Sequence, residues 1–182
     1  MIEYQPITPD VLEALREISG KRLVTGEDIN PDYAHDAMPI YGIGMPEATI
    51  DVESTEEVSA IMKLCNEHHI PVTVRGAGTG LAGGATPVQQ GLVLCTSRMN
   101  QILEYDEKNM NVRVQPGVLL DTLSKDALEH GMFYPPDPGE KFATLGGNVS
   151  TNAGGMRAVK YGPPRDYVQA MTVVLPTGEV VH

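Results

Sequence analysis

Glycines at positions 76, 78, 80, 83 and 84 crowd the stretch Val74-Arg75-Gly76-Ala77-Gly78-Thr79-Gly80-Leu81-Ala82-Gly83-Gly84. Such residues reach φ > 0 and carry no side chain to hold a ligand away. Successive backbone N–H groups can then turn into one concavity, a nest suited to an anion such as a pyrophosphate. Arg75 adds a cation at the head of the run. The chain's formal net charge of −11 repels anions overall, so any anion must be held by these local groups. That charge, with no Lys/Arg cluster to interrupt it, argues against nucleic acid or an anionic membrane as partner.

Gly78, Gly80 and Gly83 form a G-x-G-x-x-G, which in a Rossmann site opens a helix whose N-terminus takes the pyrophosphate. Here Pro87 opposes a helix and the apolar run Leu92-Val93-Leu94 begins soon after it, leaving no room for one. No Lys-Ser or Lys-Thr follows the glycines, so the Walker pattern fails as well. The loop binds its anion by another design.

A second small-residue region runs through Tyr134-Pro135-Pro136-Asp137-Pro138-Gly139 and Ala143-Thr144-Leu145-Gly146-Gly147-Asn148-Val149-Ser150-Thr151-Asn152-Ala153-Gly154-Gly155. It permits close backbone approach and supplies neutral hydrogen-bonding groups. Other reactive residue types read as structural. Tyr33, His35 and Asp36 lie among Pro and Asn, where turn and capping duties outweigh a ligand role. His68 and His69 end a helix and point about 100° apart, so they do not converge on a metal. No metal site is expected. Cys65 and Cys95 lack a CxxC spacing and read as buried, reduced thiols. Asn148-Val149-Ser150 matches a glycosylation sequon that a cytoplasmic protein would not use.

These residues need a frame. Thr8 caps a helix from Pro9 to Ile18 with Val11, Leu15 and Ile18 on its apolar side, and residues 20–46 read as loop. Thr49 to Val52 is a strand; Ser54 and Glu57 make a capping box before a helix with Val58, Ile61, Met62 and Cys65 on one face. Strand 71–75 then feeds the glycine loop, a β-α-β unit with parallel strands. Leu92 to Thr96 is a further strand. Ile102–Tyr105 and Asn111–Val114 flank a hairpin turn, and a helix with Leu120, Leu123 and Ala127 on one side ends at Gly131. Tyr161 to Asp166 is a turn, Val168 to Pro176 a strand, and Thr177-Gly178-Glu179 turns into Val180-Val181.

The chain of 182 residues suits one domain or two lobes, with the change from parallel to antiparallel near Leu103. The expected division is a first lobe over 1–102, holding a pyrophosphate loop at 75–84, and a second over 103–182. Hydrophobic residues make up 41% of the chain, and no apolar stretch is long enough to span a membrane. The N-terminus lacks the basic and apolar regions of a signal peptide, so the expected address is the cytoplasm.

Together VRGAGTGLAGGA, PPDPGEKFATLGGNVSTNAGG and KYGPPRDYVQAMTVVLPTGEVV resemble the FAD-binding domain of the vanillyl-alcohol-oxidase/PCMH superfamily. Within it, the sequence is similar to the glycolate oxidase subunit and D-lactate dehydrogenase branch of FAD-linked 2-hydroxy-acid dehydrogenases. The resemblance runs from about Asp36 onward. It implies an α+β, two-lobed fold with FAD between the lobes: a first lobe with a small parallel sheet and helices, and an antiparallel, incomplete second lobe. Gly76, Ala77, Gly78, Thr79 and Gly80 would take the pyrophosphate with Arg75 beside them. Pro136, Asp137, Gly146, Gly147, Asn148, Asn152, Gly154 and Gly155 would line the flavin and ribityl side. Tyr161 and Gly162 match a further motif near the cofactor, and Val180 an adenine-side strand.

The implied activity is hydride transfer from a small 2-hydroxy carboxylate to FAD, with an electron-transferring flavoprotein or another redox partner as acceptor. The chain reads as an N-terminal fragment, because relatives continue into a cap that carries most catalytic residues; none is assigned here. Two rivals stay open: an FAD-linked oxidase of another substrate class, and a non-catalytic half domain that self-associates. Val52 stands where the family often has a proline before the capping box. Thr79 stands where covalently flavinylated relatives carry His, so FAD should be non-covalent. Acid precipitation of the flavin-loaded, full-length protein should therefore release all flavin to the supernatant. Fluorescent flavin left in the pellet would contradict the assignment at Thr79.

Overall fold

The computed structural model describes residues 3–182, and the chain divides into two compact units. One comprises Met1–Arg98 with Ala170–His182; the other is Met99–Gln169. The architecture is α+β, as the sequence implies.

The first unit opens with α1 (Pro9–Ser19), where Thr8 accepts from the Val11 N–H at 3.4 Å and Pro9 occupies the first turn. Its sheet contains β1 (Leu23–Thr25), β2 (Ala48–Asp51), β3 (Val72–Arg75) and β4 (Leu92–Cys95), in the order β1-β2-β4-β3. β2 and β3 are parallel, as the β-α-β pattern requires, but β4 lies between them and pairs with both. Two strand neighbours explain why β4 is buried along its whole length. β1 is an antiparallel edge strand inside the segment expected to be loop. Its three residues are too short to show a period. Short 3-10 turns, such as Pro31–Ala34 and Pro39–Tyr41, occupy much of the remaining stretch before β2.

α2 (Thr55–Glu67) follows the capping box: Ser54 Oγ accepts from the Glu57 N–H at 3.1 Å. The Glu57 carboxylate reaches back to the Glu53 N–H at 2.8 Å and pairs with Arg22. Ser59, Ile61 and Cys65 are its buried residues, and burial pushes the Cys65 thiol up to about 12. His68 caps the C-terminus of α2, His69 has φ 54, and both are exposed. Ile50, Ile61, Leu92 and Leu94, with Val11 and Leu15 from α1, are fully buried in this unit.

The second unit holds the antiparallel pair β5 (Ile102–Asp106) and β6 (Asn111–Val114), then α3 (Leu120–Glu129). Val118, Leu120, Leu123 and Leu145 form its core, with Ile102, Val112, Val114 and Tyr134 packed against them. α4 (Leu145–Thr151) and α5 (Ala158–Tyr161) complete it.

The C-terminal stretch differs from expectation. Val168 to Pro176 is not one strand: only β7 (Val173–Val174) forms, paired with β8 (Val180–Val181) around Gly178. This hairpin belongs to the first unit, whereas the expected division placed it in the second. The physical reason is a fastening on α2, where Ser59 Oγ donates to the Gly178 carbonyl at 2.6 Å. Gly178 has φ +80, and a Cβ there would meet Lys63 Cγ and lie 2.7 Å from the Ser59 carbonyl. Gly178→Ala should lower stability by roughly 1 to 3 kcal/mol in a urea titration. An unchanged midpoint would show that the hairpin does not pack on α2.

Candidate cofactor site

The register of β2, β3 and β4 sets Asp51, Arg75 and Cys95 level at their C-terminal ends. The glycine loop leaves that edge, where open α/β sheets place their ligands. Residues 76–91 contain neither helix nor strand, so the Rossmann arrangement is absent. Gly78 and Gly83 have φ 72 and φ 75. Among the described residues, the backbone N–H groups of Gly76, Ala77, Gly78, Thr79, Gly80, Leu81 and Ala82 have no protein acceptor. The Gly83 N–H ends that row by donating to Asp36 Oδ2 at 2.6 Å. Unmatched donors in succession are the chemistry an anion needs.

Arg75 is placed differently from a free cation. Its side chain runs beneath the loop: the residue is 9% exposed and Nη1 donates to the His35 carbonyl at 2.7 Å. The guanidinium carbon stands 5.2 Å from the centre of the Tyr33 ring. Burial, followed by the nearby Cys95 and Asp51, holds the Tyr33 hydroxyl well above its usual range. A Cβ on Gly78 would run into this guanidinium, so Gly78 is required both by its φ and by Arg75. The long-range fastening of Asp36 and Arg75 to each other's segments has no local sequence signal.

In the second unit, the small-residue region contains α4, capped by Thr144 Oγ1, which accepts from the Gly147 N–H at 3.3 Å. Gly146 and Gly147 hid this helix, since glycine disfavours helix interiors. Gly146 donates to the Pro116 carbonyl at 2.8 Å, and a Cβ there would lie 2.7 Å from Pro116 Cβ. A Cβ on Gly155 would strike the Asp137 carbonyl and lie 2.5 Å from Pro138 Cα. These glycines serve close packing of the chain itself. Gly147 faces only its cap and Gly154 has room for a side chain.

Asn152 ends α4 in the left-handed region, and its Oδ1 accepts from the Arg165 N–H at 3.1 Å. Asn148 is 4% exposed, and its Nδ2 finds no acceptor among the described residues. A buried amide donor left unmatched is costly unless a further group receives it. Pro136 is buried, and the Asp137 carboxylate lies 3.5 Å from Arg157. Tyr161 packs edge-on against Phe133, and its carbonyl accepts from the Tyr167 hydroxyl at 2.6 Å. Gly162 has φ 84, while Val180 lies on β8 in the first unit.

The FAD binding domain family matches residues 46–182. The chain belongs to that family. FAD is therefore its cofactor, and the residues fit: the open N–H row suits phosphate oxygens, and the buried Asn148 amide lacks an acceptor. Across 98% of its length the chain is 58% identical to a D-lactate dehydrogenase of Anaerostipes hadrus. Across 97% it is 45% identical to the glycolate oxidase subunit GlcD of Bacillus subtilis. It spans 38% of the length of each of these relatives. Among solved structures, it resembles an alkyldihydroxyacetonephosphate synthase at TM-score 0.83 and 23% identity, covering 97% of this chain and 39% of that one. A p-cresol methylhydroxylase gives TM-score 0.79 at 24% identity, covering 98% and 37% respectively. At such identities these two show the fold of this FAD binding domain and nothing more, and the PCMH-type resemblance of the sequence is borne out.

Gly78→Val should abolish flavin retention by the FAD-loaded protein, because the new side chain must displace Arg75 and adopt a φ closed to β-branched residues. A variant that still purifies yellow, with stoichiometric FAD, would contradict the role given to this loop.

Proposed function

We propose that this chain is the FAD-binding part of a flavin-dependent D-2-hydroxy-acid dehydrogenase of the glycolate or D-lactate type. The identity to a D-lactate dehydrogenase and a glycolate oxidase subunit over almost the whole chain carries this reading. The two compact units are taken as the lobes of the FAD-binding domain. In the first, Gly76, Ala77, Gly78, Thr79 and Gly80 hold the pyrophosphate by backbone N–H groups, with the Arg75 charge beneath them. Val180 serves the adenine side. In the second, Pro136, Asp137, Gly146, Gly147, Asn148, Asn152, Gly154 and Gly155 line the flavin and ribityl chain, with Tyr161 and Gly162 nearby. The bound flavin supplies the two-electron acceptor for hydride from the substrate. The chain's own contribution is grip and orientation, and Thr79, which lacks a ring nitrogen or thiol, leaves the cofactor non-covalent.

The substrate is a small 2-hydroxy carboxylate, and electrons pass on to an electron-transferring flavoprotein or similar redox partner. A cytoplasmic address is supported by the two unpaired, buried cysteines. No helix among the described residues is long and apolar enough to cross a membrane.

Affinity for a cofactor of this size depends on enclosing it as well as on anion contacts. A chain spanning 38% of its relatives' length should therefore bind FAD weakly and turn nothing over by itself. The full-length protein should carry one FAD and reduce an artificial acceptor with D-lactate or glycolate. Titrating FAD into both forms and assaying both acids checks this. Tight one-to-one binding or turnover by the 182-residue chain would contradict the division of labour. A full-length protein that binds FAD but ignores both acids would point to another substrate class.

A further inference from the structure

Three consecutive residues hold the glycine loop at three points. The His35 carbonyl accepts from Arg75 Nη1 at 2.7 Å, where the loop begins. The Ala37 N–H donates to the Gly80 carbonyl at 3.1 Å, in its middle. Asp36 Oδ2 accepts from the Gly83 N–H at 2.6 Å, where the open N–H row stops. The same carboxylate also receives the Met38 N–H through Oδ1 at 2.9 Å, so both of its oxygens are used. Asp36 is only 2% exposed.

A buried carboxylate is a poor neighbour for an anion, because like charges repel strongly where water is scarce. Its presence calls for a compensating duty. A glycine-rich loop loses more backbone entropy on ordering than any other, and a ligand would otherwise have to impose that order. Bonds that fix the loop beforehand remove this cost from binding. We propose that Asp36 is a positioning residue which, with its two neighbours, pre-shapes the loop so that the Gly76 to Ala82 N–H groups stay open to a pyrophosphate. This rests on the reading of the loop as the pyrophosphate site.

Charge and clasp predict opposite signs for Asp36→Asn. Losing the negative charge alone would tighten anion binding. Losing one oxygen acceptor, while presenting an NH2 to a backbone donor, breaks the Gly83 or the Met38 bond and loosens the loop. The test is an amide NMR titration of the 15N-labelled chain with inorganic pyrophosphate, alongside hydrogen exchange. The wild type should show shifts confined to Gly76–Ala82. Asp36→Asn should need about tenfold more pyrophosphate, as expected for a hydrogen bond to a charged group, with faster exchange at Gly83 and unchanged protection in Leu92–Cys95. Asp36→Ala should weaken binding further; if it does not fold, the near-isosteric Asn variant still decides. Equal or tighter binding by Asp36→Asn, with Gly83 still protected, would overturn the clasp. A wild-type chain without shifts in Gly76–Ala82 would instead overturn the loop reading itself.

Discussion

Backbone N–H groups need an acceptor, and the partly exposed stretch from Gly76 to Ala82, at the end of a buried sheet, leaves a row of them without one from the protein. The rest of the first unit follows from that constraint. β4, buried throughout and paired on both sides, fixes where β3 ends and therefore where the loop begins. Arg75 fills the space beneath Gly78, and Asp36 takes the Gly83 N–H. With its underside occupied in this way, the loop has its open donors left for a ligand.

The glycines of the two regions answer to different demands. Gly78 is fixed by a positive φ and by the guanidinium below it, while Gly80 faces no nearer neighbour than Asp36 Oδ2 at 3.6 Å from an added Cβ. In the second unit Gly146 and Gly155 are tied to Pro116 and Asp137 of the same chain. A substitution there would first disturb the chain's own packing. Asn148 is the exception, with a buried donor that the chain itself does not satisfy.

Much of this is legible in the sequence where the signal is local. Thr8, Ser54 and the apolar stripes mark α1 and α2, because caps and periodicity act within a few residues. The Gly131 stop, the β5–β6 hairpin and the lack of a helix after the glycine loop are legible for the same reason. What escapes is set by distant partners. β1 exists through its pairing with β2, and β4 intervenes between β2 and β3. The β7–β8 hairpin joins the first unit through Ser59, far away in the chain. α4 escapes because its glycines speak against a helix while the cap at Thr144 and the contact with Pro116 speak for it. At the site, Arg75 is legible as a cation, but its burial beneath the loop depends on His35 and Tyr33, which no motif connects to it.

As proposed above, the Gly76–Ala82 backbone is the receptor for the FAD pyrophosphate. A crystal structure of the protein with FAD bound addresses it directly. Phosphate oxygens should lie about 2.7 to 3.2 Å from successive backbone nitrogens in that row, with Asp36 still bonded to Gly83. A pyrophosphate held elsewhere, with these N–H groups facing only water, would contradict it.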